Sequence, residues 1–256
     1  MSEFRPIIII PSYNTGRQLL QETIKNALDT GLHLLLVVDG STDSSTNNLE
    51  AWADCPERFQ IFRKENNTGK GDSLRIAASV ALNKAFTHAL VMDSDGQHPA
   101  DSIKPMLELA HKNPSAIIMG QPIFGRDAPA ARVHGRKLTV FWTNVETLWC
   151  GLGDSLFGMR VYPLKPFLCA FGQTSYARGF DFDPEIAVRM AWLGCQPIPC
   201  QVPVRYLLAS EGGVSHFHYL KDNFKLILLH FRLIPEFLLI SIIPFTRHLR
   251  QWKSIS

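Results

Sequence analysis

The sequence predicts an α/β fold with a mostly parallel central sheet and helices on both faces. Three observations predict it. Over the first 120 residues, apolar runs of strand length alternate with segments of helical period. The runs are apolar throughout, as strands covered on both faces must be. Each run also ends in a stretch rich in Gly, Ser, Asn or Asp, so polar residues collect at the carboxyl ends of the strands, where open α/β sheets bind ligands.

In order, "RPIIIIP" reads as a buried strand stopped by Pro11. Residues 16–31 place Leu19, Leu20, Ile24, Ala27 and Leu28 at helical spacing, with Gly31 at the helix end. "HLLLVVDGSTD" is a second buried strand, followed by a short helix over 44–53. "RFQIFRK" is a third strand. Residues 66–86 are a loop and then a helix with Leu74, Ala77, Ala78, Ala81 and Leu82 on one face. "THALVMD" is a fourth strand, and residues 99–113 form a helix with Pro99 suited to its first turn. "SAIIMG" is a fifth. Residues 120–137, rich in Gly, Pro and Arg, read as a loop that orders over a ligand. A helix over 133–153 follows, then a strand in "DSLFGMRVYP". A helix then begins near Pro184 and ends near Gly194, and "CQPIPCQVPVRY" is extended.

A chain of 256 residues, 46% hydrophobic and 19% charged, can bury a full core. With no repeat or low-complexity linker, residues 1–218 read as one domain. Residues 219–256 read as an amphipathic helical extension and not as a separate folded domain. A net charge of +3 is too small for a nucleic-acid binder by charge alone, though it suits an anionic substrate or membrane surface. Cys55, Cys150, Cys169, Cys195 and Cys200 are odd in number and form no CxxC pair, which points to reduced thiols in a cytoplasmic protein. The N-terminus does not read as a signal peptide.

The most apolar stretch is 223–253. Lys225, His230, Arg232 and Glu236 interrupt it, and Pro235 and Pro244 break it. A spanning helix needs about 20 apolar residues in a row. Two short helices separated near Pro235 are expected, with Arg247, Arg250 and Lys253 available to anionic headgroups at the cytoplasmic face of a membrane. Packing of the same helices onto the domain, or into a dimer, is the competing reading.

"VMDSDGQHP" carries the chemistry. Asp93 and Asp95 at a strand end can both reach one divalent cation, Mg2+ or Mn2+, with Gln97 as a neutral ligand. The plain alternative is a turn and a solvated strand end. Asp39 ends the second strand in the same way and can accept from a base or ribose, or simply belong to a capped turn at Asp43 or Ser44. "NTGKGDS" lacks phosphate-loop spacing, but Lys70 can position an anion or stand solvated. Asp181 and Asp183 precede a helix and can serve as a base, Asp181 preferred, while Asp183 can merely cap it. Arg126, Arg132 and Arg136 can hold a phosphate. His216 and His218 are left outside the metal set.

Taken in order, "IIIIPSYN", "LLVVDGSTDSS", "NTGKGDSLRIAAS" and "ALVMDSDGQHPADSI" resemble the family 2 glycosyltransferases, most closely the dolichol- and polyprenyl-phosphate hexosyltransferase branch. The resemblance is close over residues 5–125 and weaker to about residue 206. It implies a GT-A fold, a UDP- or GDP-sugar donor, a divalent metal and inversion at the anomeric carbon. It also implies that Pro11, Tyr13 and Asn14 line the nucleotide cleft, that Asp39 meets the base, that Asp93 meets ribose or metal, and that Asp95 and Gln97 ligate metal. The chain departs from the pattern in having Val38 before Asp39 where relatives often have a second Asp, and Gly96 where the polyprenyl branch commonly has Leu. The acceptor is expected at or near a membrane, including a polyprenyl phosphate or other lipid. A soluble acceptor, a nucleotide-sugar-binding module and a nucleotidyltransferase remain as alternatives, and "PSYNTG" lacks the glycine-rich loop usual in the last.

Overall fold

The computed structural model describes residues 3–49, 57–123, 130–204 and 219–242. Its strands are β1 (Pro6–Ser12), β2 (His33–Asp39), β3 (Phe59–Lys64), β4 (His88–Val91), β5 (Ile117–Ile123), β6 (Arg160–Pro163) and β7 (Pro197–Pro203). They form one sheet in the order β3-β2-β1-β4-β6-β5-β7. Only β6 runs against its neighbours. The helices among the described residues are α1 (Arg17–Leu28), α2 (Lys70–Asn83), α3 (Ile103–Lys112), α4 (Ala130–Glu146), α5 (Leu164–Gly172), α6 (Phe182–Trp192) and α7 (Tyr219–Ile242).

The strands form where the sequence is apolar on both sides of the chain. Ile7 and Ile9 pack into one core layer, and Ile8 and Ile10 into the other. Pro11 does not stop β1, which runs on to Ser12. There β1 still pairs with β2, but its register with β4 ended at Ile9↔Val91, so the missing N–H of Pro11 breaks no bond to β4. β7 carries Pro197, Pro199 and Pro203 and lies at the sheet edge, where proline is tolerated.

The chain passes from β1 outward to β2 and β3 and then returns to the other side of β1 as β4. The order therefore reverses between β1 and β4, and their carboxyl ends open a crevice. Hydroxyl contacts join its two lips: Ser12 Oγ lies 3.1 Å from Thr15 Oγ1, which lies 2.7 Å from Ser94 Oγ.

Several expectations need correction. Of the helix expected over 44–53, Ser44–Thr46 form a 3-10 turn, a turn follows and Leu49 is helical, while residues 50–53 lie outside the described residues. The loop over 120–137 is shorter than expected, because β5 runs to Ile123 and α4 begins at Ala130. The strand in "DSLFGMRVYP" is confined to Arg160–Pro163, and α5 was not anticipated. The helix expected to start near Pro184 starts at Phe182, with Asp181 before it. Residues 219–242 form one helix, not two, with Pro235 inside it. Pro235 withholds an N–H from the Phe231 carbonyl on the exposed side of the helix, where water can replace it. Pro244, Arg247, Arg250 and Lys253, like His216 and His218, lie outside the described residues.

α7 is seated on the domain. Leu226, Leu229 and Leu233 are buried in the layer that also holds Phe182 and Trp192. Leu229→Ala should lower unfolding free energy by about 2–5 kcal/mol in denaturant titration. An unchanged midpoint would show that α7 lies outside the cooperative unit.

Candidate active site

Three strand-end loops and the start of α6 converge on the crevice. The first loop is knitted to the second by Asn14. Its Oδ1 accepts from the backbone N–H groups of Thr42 (2.9 Å) and Asp43 (3.2 Å), and its own N–H donates to Ser41 Oγ. Asn14 holds a φ of 47°, in the left-handed region that asparagine enters more readily than most residues. Pro11 is buried in β1, and Tyr13 is half-buried beside Asn14.

Asp39 is buried and fully engaged by the protein. One oxygen accepts from Lys64 Nζ (2.6 Å) and from the Thr68 N–H (3.0 Å), and the other from the Gly69 N–H (2.8 Å). Here it anchors the "NTGKG" loop against β2. Gly71 N–H, one residue into α2, donates to the Arg178 carbonyl (3.0 Å). The Gly69 and Gly71 N–H groups at this helix start are thus taken up within the protein.

Lys70 forms the centre of the site. Its Nζ lies 2.7 Å from Asp93 Oδ1 and 2.9 Å from Asp183 Oδ2. Burial works against the ammonium charge, but Asp183 and then Asp93 outweigh it, so the Lys70 pKa lies above its ordinary value. Asp93 feels the same balance from the other side. Burial pushes its pKa up, while Lys70, His98 and Arg160 outweigh burial and bring it down. For Asp95 the balance falls the other way: burial and then the Asp93 charge raise its pKa and outweigh His98, the Gln97 N–H and Lys70, which act to lower it. Asp95 Oδ1 accepts from the Gln97 N–H at 3.1 Å. Gly96 between them has φ 68°, a conformation that leucine at this position would hold only with strain.

Asp181 and Asp183 separate in space. Asp181 Oδ1 accepts from the Gly179 N–H (3.0 Å), and its other oxygen lies 3.9 Å from Arg232. Asp183 points to Lys70, and its Oδ1 is a buried oxygen without a hydrogen-bond partner. Neither side chain caps α6. Arg136 is held in a two-pronged pair by Asp154, at 2.8 and 2.9 Å. Arg132 lies in α4, but its side chain, like all of Arg126, lies outside the described residues.

Three contributors went unnoticed in the sequence. His98 is buried, and its Nδ1 accepts from the Asp93 N–H at 2.9 Å, which closes the "DSDGQH" turn on itself. Arg160, fully buried in β6, donates to the carbonyls of Phe157 (3.0 Å) and Asp183 (2.5 Å) and so places the first turn of α6. Gly158 abuts the site, since a Cβ there would meet Asp93 Oδ2 at 2.5 Å and Lys70 Nζ at 2.8 Å. An arginine inside the apolar strand "MRVYP" was the available signal for the second.

No three His, Cys, Asp or Glu side chains converge as a metal cluster among the described residues. Asp93 and Asp95 nevertheless fit a hard divalent cation, because such ions often take one or two protein carboxylates and complete their shell with substrate phosphate. The charge of Asp93 is felt at Asp95, as expected of two carboxylates at one strand end.

An α/β sheet with this strand order, and with paired acids and a lysine at its switch point, has the architecture of the GT-A glycosyltransferases. Residues 7–171, well over half the chain, match the model of the family described as Glycosyl transferase family 2, and the chain belongs to that family. It is 26% identical over 217 residues to Glycosyltransferase GlyG of Streptococcus pneumoniae serotype 4, covering 80% of this chain and 71% of that one. It is 23% identical over 218 residues to a polyprenol monophosphomannose synthase of Mycolicibacterium smegmatis, covering 82% and 80%. The fold is similar, with a TM-score of 0.60 and 13% identity, to glucosyl-3-phosphoglycerate synthase of Mycobacterium tuberculosis in complex with Mn2+, UDP-glucose and phosphoglyceric acid. That similarity covers 94% of this chain and 81% of the other.

The contact between residues 69–71 and 177–178 tests this geometry. A Cβ on Gly71 would lie 1.8 Å from the Ala177 carbonyl oxygen, a backbone atom, whereas one on Gly172 would meet nothing within 4 Å. Gly71→Ala should cost about 1–3 kcal/mol of stability and displace Lys70 from Asp183, with glycosyl transfer falling accordingly. Gly172→Ala should do neither, as thermal unfolding and turnover per folded molecule would show.

Proposed function

We propose that this glycosyltransferase moves a sugar from a nucleoside-diphosphate sugar, a UDP- or GDP-sugar, to an acceptor at or near a membrane, with inversion at the anomeric carbon. The observation that carries this reading is Lys70, which brings the DxD carboxylate Asp93 and the helix-start carboxylate Asp183 to one point. The fold neighbour bound to UDP-glucose and Mn2+, and the relative named as a polyprenol monophosphomannose synthase, support the donor and acceptor classes.

Pro11, Tyr13 and Asn14 would line the nucleotide cleft, with Asp39 on the base side, where it also fixes the loop that carries Lys70. Asp93, Asp95 and Gln97 would hold Mg2+ or Mn2+, which when bound would neutralise charge developing on the departing diphosphate. Lys70 supplies a fixed positive charge beside the same carboxylates, in a buried setting where it acts strongly. We place the general base at Asp183 rather than Asp181, since its unpartnered Oδ1 can accept the proton of an acceptor hydroxyl as that oxygen bonds to the anomeric carbon and the bond to diphosphate breaks. A lipid phosphate acceptor is already ionised and needs no base. Its phosphate would then fall to Arg126 and Arg132, since Arg136 is paired with Asp154.

Nucleotide binding should be metal-assisted. Calorimetry with UDP and GDP should show tighter binding with Mn2+ than in EDTA, and Asp95→Ala should abolish the difference while keeping the wild-type melting temperature. Equal affinity in EDTA would refute the metal role.

Asp183→Asn should lower kcat by about 10²–10⁴-fold for a hydroxyl acceptor while donor affinity changes little. Release of nucleoside diphosphate from UDP-, GDP- and dTDP-sugars is the readout. A kcat close to wild type would move the base elsewhere or point to an ionised acceptor.

A further inference from the structure

α7 is an amphipathic helix turned inside out. Between residues 223 and 240 its exposed side chains are Phe224, Ile227, Leu228, Phe231, Leu238 and Leu239, together with Pro235, and none is polar. Its polar groups face the domain instead. His230 Nδ1 lies 2.8 Å from Glu146 Oε1. Arg232 donates to Glu185 (3.1 Å) and lies over the Tyr176 ring at 4.1 Å. Glu236 receives both prongs of Arg189 at 2.9 and 3.1 Å. A helix built for water would reverse this arrangement.

Further exposed apolar side chains lie on the neighbouring helix α4, which meets the buried side of α7 at His230. The rings of His230 and Trp142 lie 6.3 Å apart, those of Trp142 and Phe141 5.5 Å, and those of Phe141 and Trp149 6.3 Å. This chain of contacts leads across α4 to a turn in which Leu148 and Trp149 are 73% and 62% exposed. Both hold positive φ, 51° and 54°. Two successive non-glycine residues in the left-handed region carry a conformational cost, and the side chains presented at that cost are a leucine and a tryptophan facing outward.

We propose that the outer face of α7, the adjoining surface of α4 and the Leu148–Trp149 turn together form a docking surface for an anionic lipid bilayer, on which the protein lies without crossing. Between 223 and 240 the exposed positions are all apolar, and the half-exposed Arg232 and Glu236 beside them are already paired with Glu185 and Arg189, unlike the polar rim of a protein–protein interface. Tryptophan favours the headgroup boundary. The sequence that follows α7, residues 243–256, contains Arg247, Arg250 and Lys253 and no Asp or Glu, which complements anionic headgroups. No helix among the described residues is long and apolar enough to cross a membrane. The proposal deepens the reading of a membrane-proximal acceptor, on which it rests, because the inner side of α7 touches Tyr176 and Asp181 in the segment that leads into Asp183. A bilayer against the outer face would hold a lipid-borne acceptor on that side of the site.

The test is co-sedimentation of the full chain with phosphatidylcholine vesicles, with and without phosphatidylglycerol. Wild type should pellet about tenfold more with the anionic vesicles, and added salt should reduce the difference. The Leu228→Ser/Phe231→Ser double variant and the Trp149→Ser variant should each bind about tenfold more weakly at an unchanged melting temperature, because the side chains are exposed. Asp95→Ala should pellet like wild type, which separates this surface from the nucleotide site. Nucleotide binding with no pelleting would remove the surface and leave the transferase. Pelleting that ignores the serine substitutions would also overturn the proposal. So would a wild-type dimer that the double variant converts to a monomer without vesicle binding, since the face would then belong to a second copy.

Discussion

Lys70 and Asp183 are 113 residues apart in the sequence, and their contact at 2.9 Å organises the site. One ammonium stands between Asp183 and Asp93, two carboxylates that would otherwise repel each other in a partly dry crevice. Three parts of the fold must be in place for it to do so. Asp39 fixes the loop before Lys70, Arg160 fixes the turn that carries Asp183, and His98 fixes the backbone of Asp93. Each acts through a buried polar group that would be costly to leave unpaired, so the geometry of the candidate site and the stability of this end of the sheet are coupled.

The electrostatics also divide the labour between the two acids of "DSD". Asp93 is held ionised by neighbouring positive charge, whereas at Asp95 burial and the Asp93 charge outweigh the same His98 and Lys70. A carboxylate so placed gains most from a cation. The asymmetry gives the two residues different parts within one motif, Asp93 tied to Lys70 and Asp95 open to what the ligand brings.

β1, β2 and β4 were legible because they are near-continuous apolar runs, and the strand-end acids were legible because they interrupt those runs at matching places. The start of α6 was misjudged because Pro184 draws attention as a first-turn residue, while Phe182, buried against Phe167 and Phe171, begins the helix two residues earlier. That shift turns Asp183 toward Lys70 and leaves Asp181 to Gly179. Local sequence cannot decide between two acids one residue apart when the partner that separates them is so remote. Arg136 reads as a free phosphate ligand until Asp154 is placed beside it, and Pro235 reads as a break until the exposed side of α7 is known to bear its missing bond.

The same remoteness explains α7. Read alone, Lys225, His230, Arg232 and Glu236 look like the solvated face of a surface helix and its leucines like the packed one. Buried acids and an arginine of the domain overturn that division: Glu146 takes its side-chain partner from His230, and the buried pair Glu185–Arg189 is extended by Arg232 and Glu236. Three of the helix's polar groups are drawn inward to meet them. Leu226, Leu229 and Leu233 fill the space between, Phe237 and Ile240 pack partly against the same layer, and Phe224, Ile227, Leu228, Phe231, Leu238 and Leu239 are left facing outward. The electrostatic demand of the domain thus fixes the orientation of α7 about its own axis. The exposed apolar face follows from that demand, and so does its position beside the segment that carries the candidate base.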